Sequence, residues 1–129
     1  MAAPTTHRDV VAWQEAMALV EAVYRDTARF PRHETFALRA QIRQAALCVP
    51  SRLAEGATRG TVGELLAFLA MSCGSLAALE TQLEIAMRLG YLEPHAGAVI
   101  RTRRLGMLVA TLRHSLASEE SGNNGDERW

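Results

Sequence analysis

The longest apolar pattern in the sequence spans about residues 62–89 and is typical of one long α-helix. Along it, apolar or small residues recur at alternating spacings of four and three, which places them on one helix face. These residues are Leu65, Leu69, Ser72, Leu76, Leu79, Leu83 and Ala86. Thr61 followed by Glu64 has the spacing of a capping box and predicts where this helix begins. A run of small residues in its middle predicts close packing of a neighbouring helix.

Three further helices are predicted around this one. The first, about 9–29, is capped by Asp9 and broken by Phe30-Pro31. It carries an inward stripe and a second apolar stripe beside it, and so wide an apolar face favours contact with several neighbours. The inward stripe is Val10, Trp13, Met17, Val20 and Tyr24, and the second is Ala12, Ala16, Leu19 and Val23. The fourth helix, about 94–117, carries on one side Val99, Leu105, Val109, Leu112 and Leu116.

The second predicted helix, about 33–56, contains Pro50 in its last third. Proline has no amide hydrogen to donate and its ring crowds the carbonyl of Ala46, so the helix is expected to bend there. The apolar pattern nevertheless continues across the proline, which favours one kinked helix over two separate helices. That pattern is Leu38, Ile42, Ala45, Val49 and Leu53.

Together the four helices predict an all-α fold, an antiparallel up-down-up-down four-helix bundle over residues 9–117. Residues 1–8 are predicted to be a flexible arm, and the polar, glycine-rich residues 118–129 a disordered tail. A hydrophobic content of 49% with only 5% aromatic residues fits a helical globular domain. The formal net charge is zero, although all fourteen basic residues are arginine.

The start of the sequence does not resemble a signal peptide, because residues 1–8 are polar and no apolar run follows them. Cys48 and Cys73 fall within apolar helical patterns and are expected to be reduced and buried. No window is expected to reach the length and polarity of a membrane span. These features favour a cytoplasmic protein that does not enter a membrane.

The sequence contains no arrangement of residues that predicts catalysis. Its four histidines form no Glu-x-x-His pair, and its two cysteines lack the spacing of a zinc site. Those histidines are His7, His33, His95 and His114. No phosphate-binding loop, nucleophile elbow or dinucleotide fingerprint occurs. The sequence therefore predicts a non-enzymatic protein with no catalytic residues, no metal site and no cofactor.

Polar residues close to the core pattern predict a structural polar network of Arg43, Glu55, Glu80 and Glu84. Two hypotheses describe this network. In the first, Arg43 enters the bundle and pairs with a glutamate from another helix, because a buried arginine needs such a partner. In the alternative, the glutamates lie on a solvated flank, and Glu84 pairs with Arg88 one turn away.

In the predicted topology, arginines gather at the end where helices one and three stop and helices two and four start. Such a basic patch is typical of a protein that binds a phosphate backbone. The candidate nucleic-acid-binding residues are Arg25, Arg29, Arg32, Arg39, Arg88, Arg101, Arg103 and Arg104. The alternative is a solvated surface with local ion pairs.

Three stretches of the chain also resemble a known family. They are Trp13-Gln14 with Tyr24, then FPRHETFALRAQIRQAALCVPSRLAEGATRGTVGE, then FLAMSCGSLAALETQLEIAMRLGYL. Over about residues 10–92 the chain resembles four-helix-bundle proteins encoded in intervening sequences of bacterial large-subunit ribosomal RNA genes. It is also distantly similar to the accessory proteins of diversity-generating retroelements. The sequence departs from the family pattern at three positions, which are Gln44 in place of a basic residue, Cys48 in place of serine and Arg52 in place of asparagine.

The resemblance implies a four-helix bundle that assembles as a ring, a homopentamer, and the similarity to the retroelement proteins implies nucleic-acid binding. The leading hypothesis is accordingly a non-enzymatic oligomeric bundle that acts as an RNA-associated accessory or scaffold. The alternative is a protein-protein interaction adaptor with no nucleic-acid role. A third hypothesis, an enzyme or small-ligand binder that uses a cleft or the ring lumen, would be favoured by a deep pocket that holds Glu80, Glu84 and a histidine together.

Overall fold

A computed structural model of the chain describes residues 10–127, with side chains as far as residue 121, and every regular element in that range is a helix. The four α-helices are α1 Val11–Thr27, α2 Leu38–Ala57, α3 Val62–Arg88 and α4 Gly97–Glu127. One turn of 3-10 helix, Arg32–Glu34, lies between α1 and α2. The all-α fold predicted from the sequence is therefore confirmed. The predicted arm, residues 1–8, lies outside the described residues.

The helices pack in a ring around one core. α1 contacts α2 and α4, and α3 contacts the same two helices. Each helix thus has two neighbours, which is the arrangement of a four-helix bundle. The largest fully buried apolar side chains of this core are Leu19, Ile42, Leu69, Leu79, Leu83, Leu105, Val23, Val49 and Val109.

The core face of α3 agrees with the alternation predicted for it. Its buried residues are Leu69, Ser72, Leu76, Leu79, Leu83 and Ala86. Leu65, one turn earlier, is half-buried. At the start of the helix the Thr61 hydroxyl accepts a hydrogen bond from the backbone amide of Glu64 at 3.2 Å. The predicted helix start is therefore confirmed by the side chain that caps it.

α1 directs its second apolar stripe toward the core, and the stripe predicted to point inward is only in part there, with Val10, Trp13 and Val20 half-buried against the core. The residues buried on this side are Ala12, Ala16, Leu19 and Val23. Met17 and Tyr24, from the other stripe, are 40% and 39% exposed. The alanines explain the choice, because small side chains let α1 approach its neighbours closely while larger ones lie along the flank.

α4 differs most from its predicted length. It begins at Gly97 rather than near Pro94, and it continues to Glu127 rather than ending near Ala117. The predicted disordered tail is thus helical over residues 118–127, and residues 128–129 lie outside the described part of the chain. No proline follows Pro94, and glutamates are good helix formers, so nothing early in this segment stops the helix.

α3 is also apolar and long enough to cross a membrane, judged by length and composition within the described residues. Its most apolar eighteen-residue window has a mean hydropathy of 1.8, which corrects the prediction that no window would qualify. The cause is a run without charge from Leu65 to Leu79. Core helices of soluble proteins pass the same criterion, but only 22% of this window is buried. The outer face of α3 is therefore apolar as well as the inner face.

α2 passes through Pro50 as one helix, as the continuous apolar pattern predicts. Pro50 is buried, together with Val49 and Leu53 around it. Near the end of α2, Gly56 packs so closely on α3 that a Cβ atom there would lie 2.8 Å from the Cβ of Phe68. Glycine at this position therefore permits the close approach of the two helices.

Candidate nucleic-acid interface

Two connections of the chain meet at one end of the bundle, which we call the two-loop end. It comprises residues 28–37 and 89–96 with the adjoining helix turns. The Phe30 and Tyr91 rings pack with their centroids 5.4 Å apart. The backbone amide of Ala98, at the start of α4, donates to Oδ2 of Asp26 in α1 at 2.8 Å. The carboxylate thereby satisfies a free amide at a helix N-terminus, where negative charge is favoured.

Glu34 holds the two connections together. Its Oε2 accepts the hydroxyl of Tyr91 at 3.0 Å, and its Oε1 accepts the backbone amide of Leu38 at 3.4 Å. The Glu34 side chain is only 15% exposed, whereas neighbouring His33 is 72% exposed. Partial burial, followed by the hydrogen bond and the negative charge of Glu34, raises the pKa of Tyr91 above its usual value. The one acidic group of the first connection is therefore directed inward and engaged.

Arg43 fastens α2 to α1 near this end. Its Nε donates to Oγ1 of Thr27 at 2.9 Å, and its Nη2 donates to the Tyr24 carbonyl at 3.2 Å. The guanidinium also lies 4.3 Å from the centroid of the Tyr24 ring. No carboxylate pairs with Arg43 among the described side chains. The prediction that Arg43 pairs with a glutamate is wrong, because a hydroxyl, a carbonyl and an aromatic ring take that place.

The other residues of the predicted polar network are not brought together. Glu55 pairs with Arg52 at 3.3 Å on α2, and Glu84 pairs with Arg88 at 3.1 Å on α3. Glu80 lies on a shallow groove between α3 and α4 of about 500 Å³, beside Cys73, Ala77, Arg103, Gly106 and Met107. The local pairing of Glu84 with Arg88 is therefore confirmed. The groove lining includes neither Glu84 nor a histidine, so this groove does not bring those residues together.

The predicted nucleic-acid-binding arginines divide into two groups. The first lies on or beside the first connection and consists of Arg25, Arg29, Arg32 and Arg39. None of these four forms an ion pair with a side chain that the structure describes. In the second group Arg88 is paired with Glu84, and Arg101 pairs with Glu15 of α1 at 3.5 Å. Arg103 and Arg104 lie in the second turn of α4.

Phe36 is a feature of the first connection that sequence reasoning missed. It lies in the turn that joins the 3-10 helix to α2, and 94% of it is exposed. The pattern offers no signal for this exposure, because residue 36 falls inside the predicted helix 33–56 and an apolar residue there suggests burial. Predicting this exposure would have required predicting a tight turn before α2. In that turn the Leu38 amide donates to the Glu34 carboxylate.

The described residues contain no group of three or more histidine, cysteine or acidic side chains that could hold a metal ion. Cys48 and Cys73 are half-buried free cysteines, not the fully buried ones that were predicted. The histidines at the two-loop end, His33 and His95, are exposed. The absence of catalytic residues, metal and cofactor stays a prediction.

Four helices in ring order around one core define a helical-bundle protein. A family model described as "23S rRNA-intervening sequence protein" matches residues 8–104. The chain therefore belongs to that family, and the resemblance noted in its sequence is confirmed. The match includes the whole two-loop end. Comparison with curated proteins found no similar sequence.

Proposed function

We propose that this chain is a non-enzymatic, oligomeric four-helix-bundle protein of the cytoplasm that associates with RNA through its two-loop end. The observation that carries the proposal is the group of arginines free of ion pairs beside the first connection, Arg25, Arg29, Arg32 and Arg39. Arginine presents a planar set of donors that suits phosphate, and clustered arginines are the main source of affinity for a nucleic-acid backbone. Glu34, the acidic residue of the first connection, bonds Tyr91 and does not pair with these arginines.

The proposal includes an antiparallel up-down-up-down arrangement with a bend in α2 at Pro50. It is supported by contacts between the end of one helix and the start of another, Asp26 with Ala98 and Gly56 with Phe68. The bend is supported by chemistry, because Pro50 cannot donate a backbone hydrogen bond to Ala46. This topology brings the ends of α1 and α3 and the starts of α2 and α4 to the two-loop end.

The RNA association is tested by measuring affinity for a structured RNA at several salt concentrations. We expect binding that weakens steeply with salt, because phosphate contacts release counterions. Replacing Arg29 and Arg32 with glutamine should make the negative slope of log affinity against log salt shallower, by about 0.7 for each single-strand phosphate that is no longer neutralised. Arg113→Gln is the matched control, since Arg113 is exposed but lies far along α4. An absence of binding at low salt would contradict the RNA role.

Self-assembly, with a homopentamer as the expected form, is the second part of the proposal. It is supported by the outer face of α3, where Met71 is exposed among small residues and no charge occurs between Leu65 and Leu79. A helix that is apolar on both faces favours burial on both. Light scattering at several protein concentrations measures the assembled mass, and a monomer at every concentration would overturn this part.

The alternative function is a protein-interaction adaptor without a nucleic-acid role, and the same α3 face favours it. The two functions differ in what weakens partner binding. An adaptor that binds through α3 should lose its partner when Met71 becomes glutamate and should be insensitive to changes at Arg29 and Arg32. RNA binding through the two-loop end should show the opposite pattern.

A further inference from the structure

We propose that Phe36 is a stacking platform for an unpaired RNA base, so that the two-loop end selects single-stranded RNA over duplex. This inference rests on the proposed RNA association and names the form of RNA that is bound. It starts from the 94% exposure of Phe36, the highest among the exposed large apolar side chains described. A phenyl ring held almost entirely in water is unfavourable by itself, and a contact that covers it would recover that free energy.

The connection that carries Phe36 is held in place from several sides. Within it, the amide of Glu34 donates to the Pro31 carbonyl at 2.9 Å, and the amide of Ala37 donates to the Glu34 carbonyl at 3.1 Å. From the second connection, the Tyr91 hydroxyl donates to the Glu34 carboxylate. The turn is therefore ordered before any partner binds, and a preorganised contact binds more tightly than one that must be ordered on binding.

The charge around Phe36 favours a nucleic acid over an apolar protein partner. Arg32 precedes it by one helical turn of sequence and Arg39 follows it by three residues, so both α-carbons lie within about 14 Å of it by chain length alone. Neither arginine has an ion pair among the described side chains, and the carboxylate between them is turned inward. An exposed ring with an arginine close to it in sequence on either side can combine base stacking with backbone attraction, which is the usual design of single-strand binding surfaces.

An exposed ring of this kind favours unpaired RNA over duplex RNA. In a duplex each base is already stacked on its neighbours, and the A-form grooves do not present base faces to a side chain. A base in a loop or single strand can place its face on the Phe36 ring while its phosphates meet the arginines.

The experiment measures fluorescence anisotropy of a labelled twelve-nucleotide oligouridine and of a labelled RNA duplex of equal length. Four proteins are compared, the wild type, Phe36→Ala, Phe36→Leu and Phe36→Trp. We expect Phe36→Ala to weaken oligouridine binding by roughly tenfold, the usual effect of removing one stacked base, and to leave duplex binding unchanged. Phe36→Leu should bind as weakly as Phe36→Ala, whereas Phe36→Trp should bind as well as the wild type. Because residue 36 is exposed, melting temperatures should not change.

Met107→Ala is the matched control, since Met107 is also highly exposed but lies on the groove between α3 and α4. If Phe36→Ala and wild type bind oligouridine equally, with the salt dependence intact, the stacking role is wrong and the RNA association stands. If no RNA binds the wild type at low salt, both are wrong. If Phe36→Ala leaves RNA binding intact and lowers the mass measured by light scattering, the ring is a contact between protein molecules, and the stacking role is overturned.

Discussion

The two ends of the bundle are held together by different kinds of interaction. At the two-loop end, side-chain hydrogen bonds dominate, with Asp26 on the Ala98 amide and Glu34 on the Tyr91 hydroxyl. The opposite end contains one connection, residues 58–61, and we call it the one-loop end. There Gly56 packs directly against Phe68, and α2 meets α3 with almost no space between them. Hydrogen bonds of two carboxylates therefore join the helices and connections at the two-loop end, whereas close packing of two helices distinguishes the one-loop end.

The difference indicates how a small bundle can present charge without losing order. Hydrogen bonds at the two-loop end engage Asp26 and Glu34, and neither of these carboxylates pairs with an arginine of the first connection. At the one-loop end the Thr61 hydroxyl caps α3, but the contact between α2 and α3 at Gly56 is apolar and depends on close packing. Changes at the two ends should therefore have separable effects.

The largest effect on stability is expected at the one-loop end. Gly56→Leu should lower the free energy of unfolding by about 3 kcal/mol, because the added side chain would overlap Phe68 and force the helices apart. The measurement is denaturant unfolding followed by circular dichroism. Gly74→Ala is the control, since nothing lies within 4 Å of a Cβ there and the change should raise stability by up to about 1 kcal/mol. A neutral Gly56→Leu would show that packing does not hold this end.

A smaller effect is expected at the two-loop end. Asp26→Ala should lower the free energy of unfolding by about 2 kcal/mol, because the Ala98 amide loses a charged acceptor at the N-terminus of α4. Asp26→Asn keeps an oxygen acceptor and should lose about half as much. Hydrogen exchange of the first turn of α4 gives a local measurement. If both variants protect these amides as well as the wild type does, the bond is not what fixes α4.

The smallest effect, a dependence on pH, is expected at Tyr91. Its pKa is raised in the folded protein, so the stabilisation is complete below the usual tyrosine pKa of about 10 and is lost as pH rises through the folded pKa. Tyr91→Phe should therefore remove part of the decline in stability between about pH 9 and pH 11. Tyr24→Phe is the matched control, because the Tyr24 hydroxyl has no hydrogen-bond partner among the described side chains. Identical pH profiles for Tyr91→Phe and wild type would show that ionisation of Tyr91 does not contribute to the decline.

The sequence was most informative where one periodic pattern decides the structure. In α3 the alternation of apolar residues and the cap at Thr61 were enough to locate both the core face and the start of the helix. In α1 two apolar stripes competed, and periodicity cannot say which one packs inward. The alanines of the second stripe face the core because they let α1 approach its neighbours closely. The distance between helices is a property of the assembled bundle and cannot be read from one helix.

The candidate site was only partly predictable for a related reason. The position of the arginines of the first connection follows from the order of helices, because they lie in that connection or in the helix turns next to it. The partners of Arg43 do not follow, because they depend on which side of α1 meets α2. The exposure of Phe36 depends on a turn closed by side chains from two connections, and no local pattern encodes such a contact.

The contact of Gly56 with Phe68 also has a consequence for the order of folding. These residues are separated by one short connection, so the α2–α3 hairpin can close with a small loss of chain entropy. The bond between Asp26 and Ala98 joins positions 72 residues apart. We therefore expect α2 and α3 to pair early in the folding transition, with α1 and α4 closing around them later. Substitutions at Gly56 should then slow refolding, whereas substitutions at Asp26 should mainly accelerate unfolding.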